Sequence, residues 1–318
     1  MRSAPDPSAE RARVELPLDP GRAFAAVREA PRREWFGYVL AFPGVLLIAV
    51  VVLYPVLQGI LLSFTNANLL NPTRAFIGLQ NYRQLFSNPG FSVALINSAT
   101  LTAAAVILEL ILGMGLALLL HEKVPGIQIF RSLTMASWVI PVVATVMMFD
   151  LMVLPQYGVF NILLDRLGLK QFDVFWFGNP IAAMPAIVMM HVWRNTPFFG
   201  IALLAAMQMI PHELYEAAEI DGASPLQTFR HITIPGVAYV AMIMVIIHVL
   251  WTSNNFDFVY IATGGGPVDA TLVLPVFIYR QFWQNFQTGF AASGGVMLML
   301  ALMAFTTLYV TRVREREA

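Results

Sequence analysis

The chain has 318 residues, 58% of them hydrophobic and 12% charged, with 19 basic side chains against 19 acidic ones and no cysteine. Charge at about half the roughly 25% of soluble domains excludes an ordinary charged shell and points to a membrane protein. The missing cysteines exclude disulfides, thiolate metal sites and cysteine nucleophiles. The balanced net charge singles out no partner, and no nucleic acid is expected.

Residues 1–35 form a zone of their own, with Arg2, Arg11, Arg13, Arg22, Arg28, Arg32 and Arg33 among several prolines. They lack the short apolar core and small-residue cleavage site of a signal peptide and read as a cytoplasmic tail. A bilayer core of about 30 Å takes roughly 20 apolar helical residues. Six segments reach that length, about 36–64, 92–120, 129–153, 181–209, 236–262 and 289–312. Their runs are continuous rather than alternating, so they are helices and not barrel strands. The expected fold is all-α and polytopic, with six transmembrane helices within 36–312 and a short tail over 313–318.

Orientation follows from the basic residues. With the N-terminus inside, the inner segments carry the seven tail arginines, Lys123, Arg131, Arg230, Arg312, Arg314 and Arg316. The outer ones carry Arg74, Arg83, Arg166, Lys170 and Arg280, and Arg194 lies within a span. Both termini are then cytoplasmic, as is the loop 210–235 between spans four and five.

That loop is acidic where the chain is otherwise poor in charge. Pro211 suits a first helical turn, and Glu213 and Glu216 lie near the positive end of the helix dipole. Asp221 and Gly222 end the helix, since glycine accepts the left-handed conformation there. Ser224, Pro225 and Gln227 start a second helix with a capping box. A helix this short is marginal in water and needs a partner surface. His212, Glu213 and Glu216 begin like a zinc-protease helix but end in Glu where a second His is required, so no metal site is expected. There is no Gly-Lys-Ser/Thr phosphate loop and no catalytic constellation.

The pattern Glu216-Ala217-Ala218, Gly222, Ile232 and Pro235 resembles the cytoplasmic loop of ABC-importer permease subunits. Ser137–Pro141, Tyr157–Asn161, Val192–Phe198 and Thr263–Pro267 are similar to the binding-protein-dependent sugar permeases of maltose type. The resemblance implies a type I importer permease fold in a bacterial or archaeal cytoplasmic membrane. It implies that the loop is a coupling helix seated on an ATPase subunit, with Glu216, Ala217, Ala218, Asp221, Gly222, Ile232 and Pro235 as its coupling residues. It also implies a second homologous permease subunit, two ATPase subunits that hold the ATP and Mg, and an outer solute-binding protein. No cofactor is expected in this chain, and no enzymatic activity.

The polar residues within the spans are the place to look for solute. Intramembrane ionisable residues usually face a bundle interior or wet cavity. The set here is Glu109, Asp150, Arg194 and Asp257. Glu109 and Asp150 read as structural, since nothing polar clusters beside them. Arg194 either lines the pathway or pairs with one of the acids. His248, Thr252 and Asn255 recur on one helix face, flanked by Trp251 and Phe258. Such a stripe serves either interhelical hydrogen bonds or sugar hydroxyls, with aromatic rings against apolar sugar faces. The resemblance places sugar-contacting positions at His248, Thr252, Asn255, Arg194, Asn195 and Phe198, with only Asn255 keeping the residue type. It implies import of an oligosaccharide or glycoside. Glycerol phosphate or another small polar solute stays open as cargo because of Arg194, and an ion-coupled secondary transporter is the reading from another class. Gly264–Pro267 reads as the turn that ends span five, Tyr279–Phe286 as an interfacial aromatic belt, and Ala291–Gly295 as a stripe for contact between subunits.

Overall fold

The computed structural model describes residues 35, 37–71, 73–122, 124–169 and 174–317. The expected tail lies outside these residues up to position 34, as do Lys123 and Lys170. The chain divides into two compact units, Met1–Gln58 and Gly59–Ala318. In the first, the described backbone is helical, the beginning of α1 (Gly37–Ser63), with a π-helical turn over Ala49–Leu53. Everything below concerns the second unit.

Among its described residues there are no strands, only two isolated bridges, Thr65 with Phe76 and Asn68 with Asn71. The helices are α2 (Gln80–Ser87), α3 (Pro89–His121), α4 (Ile127–Val139), α5 (Val142–Met152), α6 (Val159–Arg166) and α7 (Ala183–Met207). They continue as α8 (His212–Ile220), α9 (Pro225–Ser253), α10 (Asp257–Thr263), α11 (Leu274–Tyr279) and α12 (Thr288–Glu317). Among the described residues of the chain, four helices, α1 included, can cross a membrane by length and composition, or up to six spans if each of two bent pairs counts as one.

The centre of the unit is the pair α3 and α7, with α9 packed against both. All three are apolar around most of their circumference, so their contact is set by shape rather than by an amphipathic stripe. Glycines allow it: a Cβ on Gly113 would stand 2.5 Å from the Cβ of Phe199, and one on Gly200 would stand 2.7 Å from Leu116. Small residues at such crossings let backbones approach closely. Asn88 caps α3, its side chain accepting from the Phe91 N–H at 3.3 Å with Pro89 behind it.

Two spans depart from the continuous helices expected. Span three is broken between α4 and α5, which meet at 93°. Pro141 has no N–H to donate, and Ile140 before it is extended at φ −60° and ψ 131°. Span five ends as a helix at Ser253, and residues up to Thr263 form the separate α10. Asn255 causes part of this, because its Oδ1 accepts from the Phe258 N–H at 3.1 Å and caps the new helix. The glycines thought to end span five therefore end α10, with Gly264 left-handed at φ +60°.

The stripe in α12 also differs from expectation. Ala291 and Ser293 are buried, and a Cβ on Gly294 would lie 3.1 Å from Ile278. That face packs within the chain, while a Cβ on Gly295 would meet nothing within 4 Å. Tyr279 meets Phe256 at a tilt and Tyr260 edge-on, at ring distances of 4.9 and 4.8 Å, while Trp283 is exposed.

Candidate functional site

The polar residues of α3, α7 and α9 meet in one place. Glu109 on α3 is fully buried. Its Oε1 lies 2.9 Å from His191 Nδ1 on α7, and its Oε2 lies 2.9 Å from His248 Nδ1 on α9. An ionised carboxylate only accepts hydrogen bonds, so each ring donates an Nδ1–H and, when neutral, keeps a lone pair on Nε2. Asn195 Nδ2 donates to the His191 carbonyl at 3.0 Å; it also lies 2.9 Å from His191 Nδ1, where it faces a second donor when that nitrogen donates to Glu109. Asn255 Nδ2 lies 3.4 Å from His191 Nε2. Aromatic rings frame the cluster. Phe199 is 4.3 Å and Trp251 5.4 Å from the His248 ring, and Phe258 is 5.2 Å from His191. Phe198 stacks on Trp138 at 5.3 Å and reaches His248 at 5.8 Å.

Glu109 is therefore the centre of the cluster, and the expectation of a carboxylate with no polar neighbours was wrong. The signal for it was not in sequence spacing, because its partners lie 82 and 139 positions away. His191 was missed altogether. It stands one helical turn before Asn195, on the same face, and an ionisable side chain inside a span was the available sign. Two buried atoms of the cluster, His248 Nε2 and Thr252 Oγ1, have no hydrogen-bond partner. An unsatisfied buried polar atom costs about 1–3 kcal/mol, so folding alone does not account for this pair.

Arg194 engages neither this cluster nor an acid. Its Nη1 donates to the carbonyl oxygens of Ser137 and Ile140 and lies 3.4 Å from Thr145 Oγ1. The Ser137 carbonyl is the one whose helical donor would have been the N–H that Pro141 lacks. The guanidinium thus pins the break in span three, and of the two readings of Arg194 the pairing with an acid does not form. Asp150 and Asp257 are both exposed. A groove of about 900 Å³ runs beside this break, lined by Leu108, Leu112, Val192 and Trp193 among others. Its walls are almost wholly apolar, so the polar cluster is the better candidate for chemistry.

The loop between α7 and α9 forms a helical elbow, with α7 and α8 bent by 75°. Pro211 sits just before α8, and Glu213 lies in its first turn. Gly222 is left-handed at φ +74°. The Ala223 N–H bonds the Ala218 carbonyl at 2.9 Å and the Gly222 N–H bonds that of Glu219 at 3.1 Å, a Schellman ending. The capping box is complete, with Gln227 N–H to Ser224 Oγ at 3.4 Å and Ser224 N–H to Gln227 Oε1 at 2.8 Å. The Tyr215 hydroxyl meets Thr233 Oγ1 at 3.1 Å and ties α8 to the base of α9. Glu216, Ala217 and Asp221 are exposed and Ala218 is half-buried. Leu214 and Ile220 on acidic α8 are 50% and 86% exposed, and Leu226 in the first turn of α9 is 73% exposed.

Residues 109–316 match the family described as the binding-protein-dependent transport system inner membrane component. The chain belongs to this family. It is the permease subunit of an ABC importer, an inner-membrane transport component and not an enzyme. The permease is 32% identical over 285 residues to the trehalose/maltose transport system permease protein MalF of Thermococcus litoralis, covering 90% of this chain and 96% of that one. It is 30% identical over 280 residues to the sulfoquinovosyl glycerol transport system permease protein SmoG of Agrobacterium fabrum, covering 88% and 90%. In structure it is similar to a chain of a bacterial ABC transporter that imports the acidic polysaccharide alginate. The TM-score is 0.78 at 21% identity, over 91% of this chain and 99% of that one. That likeness gives the type I importer fold to the permease. Of the residues expected to meet solute, Asn195, Phe198, His248 and Asn255 gather around Glu109, with Thr252 one turn beyond His248, while Arg194 holds span three.

Proposed function

We propose that this permease carries a neutral carbohydrate, an oligosaccharide or glycoside, past Asn195, Phe198, His248, Thr252 and Asn255. One observation carries the reading: neutral amides, imidazoles and a hydroxyl sit among aromatic rings, while Arg194, the only Lys or Arg of α7, is engaged by carbonyl oxygens. Amides and hydroxyls match sugar hydroxyls, and rings cover apolar sugar faces. The one charge in the cluster is a buried carboxylate, which disfavours anionic cargo such as glycerol phosphate. A relative named for trehalose and maltose supports the same class.

In the proposed assembly the permease pairs with a second homologous permease subunit, and a solute-binding protein delivers cargo on the outer side. Two ATPase subunits, holding ATP and Mg, sit on the cytoplasmic side, where α8 seats in a groove of one of them. The Schellman ending and capping box make the elbow stiff, and Tyr215 passes its displacement to α9, which carries His248 and Thr252. Closure of the ATPases then rocks the helices between outward and inward access.

The test is uptake into vesicles holding the whole complex with its binding protein. ATP-dependent entry of labelled trehalose or another neutral glycoside, undiminished by excess glycerol 3-phosphate, is the expected result. Entry of anionic solutes alone would overturn the reading.

A further inference from the structure

We propose that Glu109 is a positioning residue of the solute pathway, which fixes the tautomers of His191 and His248 so that both present Nε2 as hydrogen-bond acceptors to a neutral polyhydroxy solute. The inference rests on the proposed cargo and goes beyond it, because it states which polarity the pathway offers. One carboxylate bridges the two rings through their Nδ1 atoms, at 2.9 Å each. Nε2 lies across the ring from Nδ1, so each ring turns its lone pair away from Glu109. At His191 that lone pair faces an amide N–H of Asn255 at 3.4 Å, a long and replaceable contact. At His248 it is buried and unpartnered, as is the Thr252 hydroxyl one turn further along the same face. Both atoms are closed to solvent here, so a solute hydroxyl donating to His248 and accepting from Thr252 would satisfy them only as the helices part during transport.

Other charges do not compete for this role. On α7, Arg194 is held by the carbonyls of Ser137 and Ile140. On α4, Arg131 donates to the Leu120 carbonyl at 2.7 Å. Asp150 on α5 and Asp257 on α10 are exposed, and Tyr260 on α10 bonds the Tyr279 hydroxyl at 3.4 Å. On α9, Arg230 and His231 are exposed near its first turns, at the end away from His248. At His248 the carboxylate is the one partner of Nδ1, and at His191 it shares that nitrogen with the Asn195 amide at 2.9 Å, whose N–H also has the His191 carbonyl to serve, so the ionised carboxylate is the stronger of the two.

Glu109→Gln tests this with little change in volume. A glutamine offers one acceptor and one donor, so one ring keeps its Nδ1–H and the other must turn to the Nε2–H tautomer. Solid-state NMR of ¹⁵N-histidine in the complete complex in bilayers reads the tautomers. Signals of the exposed His121, His212 and His231 are set apart by single substitutions to glutamine. In the wild type at mildly alkaline pH, both buried rings should carry Nδ1–H with a bare Nε2. In Glu109→Gln, one should be reversed, and ATP-driven trehalose uptake should fall about tenfold, the equivalent of one charge-assisted hydrogen bond.

A wild-type ring with Nε2–H refutes the inference without any variant, so poor folding of Glu109→Gln leaves it testable. Wild-type uptake in a variant with one reversed tautomer refutes it too. Trehalose uptake with the wrong tautomers sinks the role of Glu109 and leaves the cargo intact. A wild-type complex that imports no neutral sugar sinks the cargo, and the acceptor role with it.

Discussion

Arg194→Met separates a structural pin from a solute contact. The substitution removes the donor that serves the Ser137 and Ile140 carbonyls and contacts Thr145 Oγ1. Hydrogen bonds to charged groups contribute about 1.5–3 kcal/mol in general, but interhelical ones within membranes average about 0.6 kcal/mol. Two carbonyl bonds therefore contribute about 1–3 kcal/mol. Against this, an arginine at mid-membrane costs about 2.5–3.5 kcal/mol on insertion scales. The two nearly cancel, so the variant should insert and accumulate at least as well as the wild type. Its loss is one of shape. The Ser137 carbonyl is left without a donor, and the 93° break between α4 and α5 is no longer pinned. The chain has no cysteine, so spin labels on Leu133→Cys and Met147→Cys report that angle cleanly; both positions are exposed, at 64% and 62%. Electron-spin distance measurements should show a broader distribution in Arg194→Met and an intermediate one in Arg194→Lys, whose single ammonium reproduces the planar fork poorly. Uptake of neutral sugar should fall with the broadening. An unchanged distribution together with lost uptake would show that Arg194 meets the solute, and the pin would be refuted.

Leu214→Glu on the elbow should leave the permease folded, since the residue is half exposed, yet reduce co-purification of the ATPase subunits at least tenfold, an effect of about 2 kcal/mol at a buried contact. Gly222→Val should weaken the same association and lower uptake, because φ +74° costs an L-residue about 1–2 kcal/mol; thermal unfolding of the membrane bundle should hardly move. Gly113→Leu should lower the unfolding temperature of the isolated permease, because a Cβ there meets that of Phe199 at 2.5 Å and overpacking costs about 1–3 kcal/mol.

What the sequence disclosed, and what it hid, divides along the range of the interactions. Span positions could be read because apolar length alone sets them, and the elbow because its devices are local: Gly222, the Ser224–Gln227 box and the acidic first turn all act within a few residues. The site was only half visible. His248 and Thr252 share a helix face, so spacing found them. Glu109 and His191 come together only when α3 packs on α7, and those helices are apolar around most of their circumference, with little periodicity to say which side turns inward. A third role for Arg194, beside solute contact and pairing with an acid, was not legible: the missing N–H of Pro141 leaves the Ser137 carbonyl needing a donor, and the guanidinium supplies it. Span five was drawn too long because Asn255 diverts the backbone by capping α10, a local competition that average hydropathy does not register.

The account depends most on the elbow being the joint to an ATP-consuming partner on the inner side of the membrane. Ala217→Cys places a single thiol on its exposed face, in a chain with no other. In membranes carrying the complete complex, a short bifunctional reagent should link that thiol to an ATPase subunit, with a yield that changes when ATP is added, and a membrane-impermeant thiol reagent should fail to label it in intact cells. Labelling from outside, or no link to any second polypeptide, would contradict the account.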